Sequence, residues 1–224
     1  MSERPEITAR VRDVLASIPP HVEVLAAAKT RTPDEVRGAI AGGVRLIGQN
    51  YVQEAEAAIA VLGRGTAQWN LIGHLQRNKA KVAVRLFDAV ESVDSVRIAT
   101  ALAREAAKLN RILPILIEVN SAREPQKAGV LPEDAEALIR EIVEMPSLRI
   151  EGLMTMGPIA PDAEGLRPYF AETKRLFDRI AALRIPNVEM RTLSMGMSDS
   201  YRVAIEESAT RVRLGTVLFG PRAA

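Results

Sequence analysis

Lys29 closes the apolar run Val24-Leu25-Ala26-Ala27-Ala28, whose small residues leave space around its side chain. A lysine at the carboxyl end of a strand, partly withdrawn from water, has its pKa lowered and becomes an amine nucleophile for a carbonyl carbon. The bland alternative is a solvated lysine on a rim. A second stretch, Leu193-Ser194-Met195-Gly196-Met197-Ser198-Asp199-Ser200, joins a strand pattern to a helix pattern. Its hydroxyls, its glycine and a helix amino terminus are the parts of an anion cradle. Ordinary capping by Ser198 or Asp199 would need no ligand. In a third stretch, Val212-Arg213-Leu214-Gly215-Thr216-Val217-Leu218-Phe219-Gly220, Gly215 and Thr216 offer backbone N–H groups and a hydroxyl to a phosphate.

Other candidates carry less chemistry. Asn50 ends Leu46-Ile47-Gly48-Gln49 and either touches a ligand or caps a helix, and His74 follows Leu71-Ile72-Gly73 in a similar position. Met154 and Met156 read as core or pocket wall. Arg77, Lys79 and Lys81, with Trp69 nearby, read as a solvated helix face before they read as a nucleic-acid surface. Gly196-Met197-Ser198-Asp199-Ser200 is a near miss to G-x-S-x-G, with serine in place of the last glycine. The two histidines both lie early in the chain, so a serine hydrolase is rejected. No Walker A, H-E-x-x-H or G-x-G-x-x-G pattern occurs.

These residues need a frame that places them together. Strand patterns at Val22 to Ala28, Arg45 to Gly48, Gln68 to Gly73, Phe87 to Val93, Ile112 to Asn120, Leu148 to Thr155, Val188 to Ser194 and Val212 to Phe219 alternate with helical patterns. Thr32, Pro33, Asp34 and Glu35 form a helix start, and an additional helix from Pro5 to Ile18 precedes the first strand. Such alternation implies βαβ units and a parallel sheet. The expected architecture is an α/β fold, a single (β/α)₈ TIM barrel with an extra N-terminal helix, over residues 1–224 as one domain. A doubly wound open sheet is the runner-up. In a barrel, phosphate sites are frequently built from the loops after the seventh and eighth strands, where the Ser194 and Gly215 stretches fall.

Composition narrows the function classes. The 224 residues include 30 Lys plus Arg and 28 Asp plus Glu, a formal net charge of +2. So nearly balanced a charge argues against a strongly electrostatic binder of nucleic acid. Hydrophobic content of 47% suits a fully cored domain. The absence of cysteine excludes disulfides, thiolate nucleophiles and cysteine-ligated metal sites, and two histidines leave little for any other metal. No apolar run reaches the roughly 18 residues of a membrane helix. The polar start Met1-Ser2-Glu3-Arg4 is not that of a signal peptide. A cytoplasmic protein is expected.

Lys29, Gly48-Gln49-Asn50-Tyr51-Val52-Gln53-Glu54, Trp69 to Lys79, Ser194 to Asp199 and Val212 to Gly220 occur together and in this order. The set closely resembles the pyridoxal-phosphate homeostasis proteins (the YggS/PROSC family) over nearly the whole chain. The resemblance implies a barrel like the N-terminal domain of bacterial alanine racemases, with pyridoxal 5′-phosphate as cofactor. By the same resemblance Lys29 matches the lysine that forms the aldimine (a Schiff base) with the cofactor. Ser194, Gly215 and Thr216 match phosphate-holding positions, Arg213 matches the arginine near the pyridine nitrogen, and Asn50 matches a pocket-lining residue. An arginine there disfavours protonation of the ring nitrogen and makes the ring a poorer electron sink.

The implied role is vitamin B6 homeostasis and delivery, with apo pyridoxal-phosphate enzymes as candidate recipients, no catalytic residues and no metal. The oligomeric state is left as monomer or homodimer. The alternative is an amino-acid racemase-like enzyme. It would want a second acid/base, which in racemases comes from an additional β domain; a chain ending at Ala224 leaves no room for one, and nothing in the sequence places Tyr51 or Tyr201 in that role. A class I aldolase-like barrel acting on a sugar phosphate is a third reading. Gln49, Ser200 and Ser208-Ala209 depart from the family pattern, where Glu, Asp and Gly-Ser are usual; the first would remove a negative charge from the site if it pointed inward.

Overall fold

Eight short segments, most of them carrying aliphatic residues on at least one face, form strands in the computed structural model, which describes residues 4–221. They are β1 (Glu23–Ala27), β2 (Leu46–Gln49), β3 (Gln68–Leu71), β4 (Ala89–Val93), β5 (Leu113–Val119), β6 (Leu148–Thr155), β7 (Val188–Ser194) and β8 (Arg211–Leu214). Each pairs in parallel with the next in sequence, and β8 returns to β1, so the sheet closes into a barrel. The helices are α1 (Pro5–Ser17), α2 (Pro33–Gly42), α3 (Val52–Leu62), α4 (Ala80–Leu86), α5 (Val96–Ala107), α6 (Ala135–Ile142), α7 (Arg167–Ala182), α8 (Tyr201–Glu206) and α9 (Thr216–Phe219). This is the (β/α)₈ barrel expected from the alternation, with α1 as the extra N-terminal helix packed on α2 and α9.

Local chemistry sets several boundaries. Thr32 Oγ1 accepts from the Glu35 N–H while the Glu35 carboxylate accepts from the Thr32 N–H, a reciprocal cap that starts α2. Gly73 follows β3 because Asn50 passes so close that a Cβ there would lie 2.4 Å from the Asn50 carbonyl oxygen. The eighth strand is shorter than expected. It stops at Leu214, because the Leu218 and Phe219 N–H groups donate to the Gly215 carbonyl and turn the chain into α9. After β3 the chain enters α4 through a 3₁₀ turn at Arg77–Lys79.

Strand alternation sorts side chains onto two faces. Val24, Ala26, Ile47, Trp69, Leu71, Ile115, Ile117, Leu193, Val212 and Leu214 belong to the apolar core. The barrel interior holds Leu25, Leu116 and Met154 together with the buried polar residues Asn70, Glu91, Ser194, Arg211 and Arg213. The contact of Glu91 with Ser194 joins β4 to β7, which are not neighbours, and so crosses that interior. Gln49 alternates with Gly48, whose added Cβ would strike the interior residue Leu25. Gln49 therefore points outward, away from the barrel interior. Its Oε1 is buried there without a hydrogen-bond partner.

Candidate functional site

Two cavities open at opposite ends of the barrel. The larger, about 660 Å³, lies at the amino-terminal end among His21, Glu23, Glu151, Arg191 and Arg211. Its arginines are engaged: Arg191 pairs with Glu151, and Arg211 with Glu23 and Glu91. The smaller, about 440 Å³, lies at the carboxyl ends of the strands, where the ligands of parallel α/β barrels bind. Its wall includes Lys29, Asn50, Arg213, Gly215 and Thr216, five of the six residues expected to form a site.

Lys29 follows β1 in a turn closed by the Arg31 N–H on the Ala28 carbonyl. The residue is half-buried, and its Nζ sits 5.5 Å from the centroid of the Tyr51 ring, within cation–π range. The next residue, Thr30, takes φ +62°, a left-handed conformation that a β-branched residue rarely adopts. The Glu54 carboxylate accepts from the Thr30 N–H at 3.3 Å and helps hold that turn. Arg31 lies over the Phe219 ring, 5.2 Å from its centroid, and pairs with Glu35. Tyr51 is thus beside Lys29, whereas Tyr201 is buried in α8 with its hydroxyl accepting from Arg202.

Ser198 Oγ accepts the N–H groups of Gly215 at 3.2 Å and Val217 at 3.3 Å. That hydroxyl marks where an anion would meet the same donors. Ser194 is placed differently from the expectation: it is fully buried inside the barrel. Its O–H donates to Glu91 at 2.7 Å, and its oxygen accepts from Arg213 Nη1 at 2.8 Å. With both capacities engaged, Ser194 is a support for Arg213, and the hydroxyl at the Gly215 loop is that of Ser198. Ser200 directly precedes α8 and accepts the Met197 N–H, so it is a turn residue at the helix start.

Arg213 also donates through Nη1 to the Ser194 carbonyl and through Nη2 to the Thr155 carbonyl at 2.7 Å. Burial pulls its pKa down, partly offset by Glu91 and Glu118, yet its ordinary value is so high that it remains a cation. Glu91 accepts from Asn70 and Arg211, each at 2.8 Å, so an unbroken polar chain runs from Arg211 through Glu91 and Ser194 to Arg213. Glu118, on β5, lines the same cavity. Burial, then the Asp94 charge, push its carboxyl up to about 7, with Arg213 opposing.

Sequence reasoning missed Glu91 and Glu118. Both sit inside apolar strand runs, and counting Glu118 in alternation with Leu116 would have turned it inward. Trp69 is fully buried, so it offers no stacking surface beside Arg77, Lys79 and Lys81. Met154 is core and Met156 is cavity wall, as their surroundings suggested. Among the described residues no cluster of metal-ligating side chains is present, and no helix is long and apolar enough to cross a membrane.

Fold and site together define a (β/α)₈ ligand-binding barrel with an amine, a guanidinium and a hydroxyl-lined loop at its carboxyl end. The alanine racemase N-terminal domain family model matches residues 4–223. A pyridoxal phosphate homeostasis protein of Aquifex aeolicus is 38% identical over 200 residues, covering 89% of this chain and 87% of its own. One from Pseudomonas aeruginosa is 36% identical over 220 residues, covering 97% and 93%. The chain belongs to the pyridoxal phosphate homeostasis proteins, within the alanine racemase N-terminal domain family. PipY of Synechococcus elongatus PCC7942, solved with PLP bound, superposes with a TM-score of 0.87 at 34% identity, covering 96% of this chain and 100% of its own. An alanine racemase of Clostridium difficile shares the fold, with a TM-score of 0.79 at 14% identity, over 97% of this chain and 56% of its own.

Proposed function

We propose that residues 1–224 form one pyridoxal 5′-phosphate-binding barrel domain whose role is to hold the cofactor in the cytoplasm and release it to apo enzymes, without catalysing a reaction of its own. The observation that carries this reading is the gathering of Lys29, Arg213, Ser198, Gly215 and Thr216 on one cavity. The donor set fits the group: an amine for an aldehyde, and hydroxyls with backbone N–H groups for a phosphate. When bound, the cofactor supplies an electrophilic aldehyde carbon and a phosphate anion. Lys29 is the covalent anchor. Gly215, Thr216 and Ser198 hold the phosphate, and Asn50 lines the pocket.

Arg213, a cation kept in place by Ser194 and Thr155, would stand near the pyridine nitrogen of a bound cofactor. It cannot accept a proton from the ring and disfavours one there, which works against carbanion chemistry. This favours a holder over a racemase.

An absorbance spectrum of protein mixed with the cofactor tests the assignment. A visible band near about 420 nm is expected in wild type and lost in Lys29→Ala, which keeps weak binding through the phosphate groups. No band and no cofactor retained after desalting would overturn the reading. Turnover of alanine or another amino acid by the loaded protein would favour the racemase reading instead.

A further inference from the structure

Beside the cofactor cavity lies a second one of about 320 Å³, and the two share Glu118, Met156 and Met197 as wall. The chain after β5 folds back to make it. Val130 N–H donates to the Glu118 carbonyl and Asn120 N–H to the Val130 carbonyl, each at 2.9 Å. Lys127 then bonds the Gly157 carbonyl at 3.2 Å and ties this segment to the one after β6. The rest of the lining is largely apolar, including Val119, Ala122 and Pro158.

Glu118 stands in the shared wall and is only 9% exposed. Among the described residues, no hydrogen bond or ion pair reaches its carboxyl group. Its carboxylate oxygens are not among the buried atoms left without a partner, so they open onto the cavity, where a bound donor can reach them; Arg213 acts on them through its charge alone. The cations that line these cavities are engaged elsewhere. Arg213 donates to Ser194 and Thr155, Lys127 to Gly157 and Glu124, Arg31 to Glu35 and Gly220, and Lys29 faces Tyr51. Asp94 adds negative charge from the end of β4. What the annex lacks is a small cation with N–H donors and an apolar body.

We propose that this annex binds a small primary ammonium compound, with the Glu118 carboxylate as its anchor and the apolar wall around its alkyl part. A primary ammonium group brings three donors and a positive charge. An alcohol brings no charge, and a carboxylate alone is repelled by Glu118. Burial holds the Glu118 carboxyl less ionised than an exposed one, and a bound cation would favour its charged form. The proposal rests on the functional reading above, since it places the amine next to the cavity that holds the cofactor.

The test uses loaded protein reduced with borohydride, which fixes the cofactor to Lys29 so that added amines cannot exchange with it. Saturation-transfer NMR then follows propylammonium, with propanol and propionate as controls and L-norvaline as a second amine. Saturable binding of propylammonium and not of the controls is expected, weakened about tenfold or more by Glu118→Gln. Ala122→Leu, which fills the annex and keeps the carboxylate, should weaken it as well. Tighter binding of norvaline would point to α-amino acids as the source of the ammonium group; weaker binding would point to simple amines. No binding, equal binding by Glu118→Gln, or propanol binding as well as propylammonium would overturn the site. A sample without the visible band before reduction would overturn the cofactor reading instead, and the same titration on that unloaded protein still decides the annex.

Discussion

Glu118 gives the clearest consequence at the scale of one residue. Burial and Asp94 lift its carboxyl from the ordinary 4.5 to about 7 in the folded protein, against the pull of Arg213. Between those values the folded state holds a proton that the unfolded chain has already lost. Stability therefore falls as pH rises through that window. The favourable contribution is complete below 4.5 and lost above 7, a change of about 3 kcal/mol. Glu118→Gln, neutral throughout, escapes this loss. Denaturant titrations of cofactor-free protein should show the variant gaining on wild type from about pH 4.5 to about pH 8. A gap that stays constant across that range would mean that Glu118 ionises like an exposed carboxylate.

At the scale of elements, Ser208 ends α8 in a way its side chain does not favour. Ser208 N–H donates to the Ile205 carbonyl and Ala209 N–H to the Ala204 carbonyl, the paired bonds of a Schellman cap. Ser208 occupies the left-handed position of that cap with φ +69°, where glycine carries no Cβ penalty. The glycine usual at this position in the family thus has a backbone reason. Ser208→Gly should stabilise the protein by about 0.5–1 kcal/mol, with denaturation midpoint as the readout. A loss of stability would show that serine makes up the difference in the folded state.

The elements were largely legible because most strands carry an apolar run or an apolar alternation bounded by turn residues, and β6 and β7 fall where the pattern put them. The overrun at β8 has a simple cause. Thr216-Val217-Leu218-Phe219 has strand-like composition, and only the bonds to Gly215 and Ser198 bend it into a helical turn. Lys29, Asn50, Arg213, Gly215 and Thr216 could be proposed together because they lie at or near strand ends, which a barrel brings onto one cavity whatever their separation in sequence. Ser194 is also at a strand end, but alternation turns it inward. Its role depends on Glu91, a partner 103 positions away that no local pattern reveals.

For the whole molecule, the polar chain through the barrel links stability at one end to the site at the other. Glu91 is fully buried and accepts from Asn70, Ser194 and Arg211, while Arg211 reaches Glu23 at the amino-terminal rim. Burial opposes the Arg211 charge, but Glu91 and Glu23 outweigh it and hold its pKa above the ordinary value. Removing one partner leaves an uncompensated buried charge and idle donors. Glu91→Leu should therefore cost about 3–5 kcal/mol of stability. Glu91→Leu combined with Arg211→Leu should recover most of that loss, because the desolvation penalty disappears with the pair. Arg213 keeps its bonds to the Ser194 and Thr155 carbonyls in both variants. Cofactor binding, read from the visible band of folded protein, should accordingly change far less than stability does. If the double variant is as unstable as Glu91→Leu alone, the Glu91–Arg211 pair is a net stabiliser of the barrel. If the band is lost while the protein stays folded, the orientation of Arg213 depends on Glu91 through the Ser194 hydroxyl, and the network is part of the site itself.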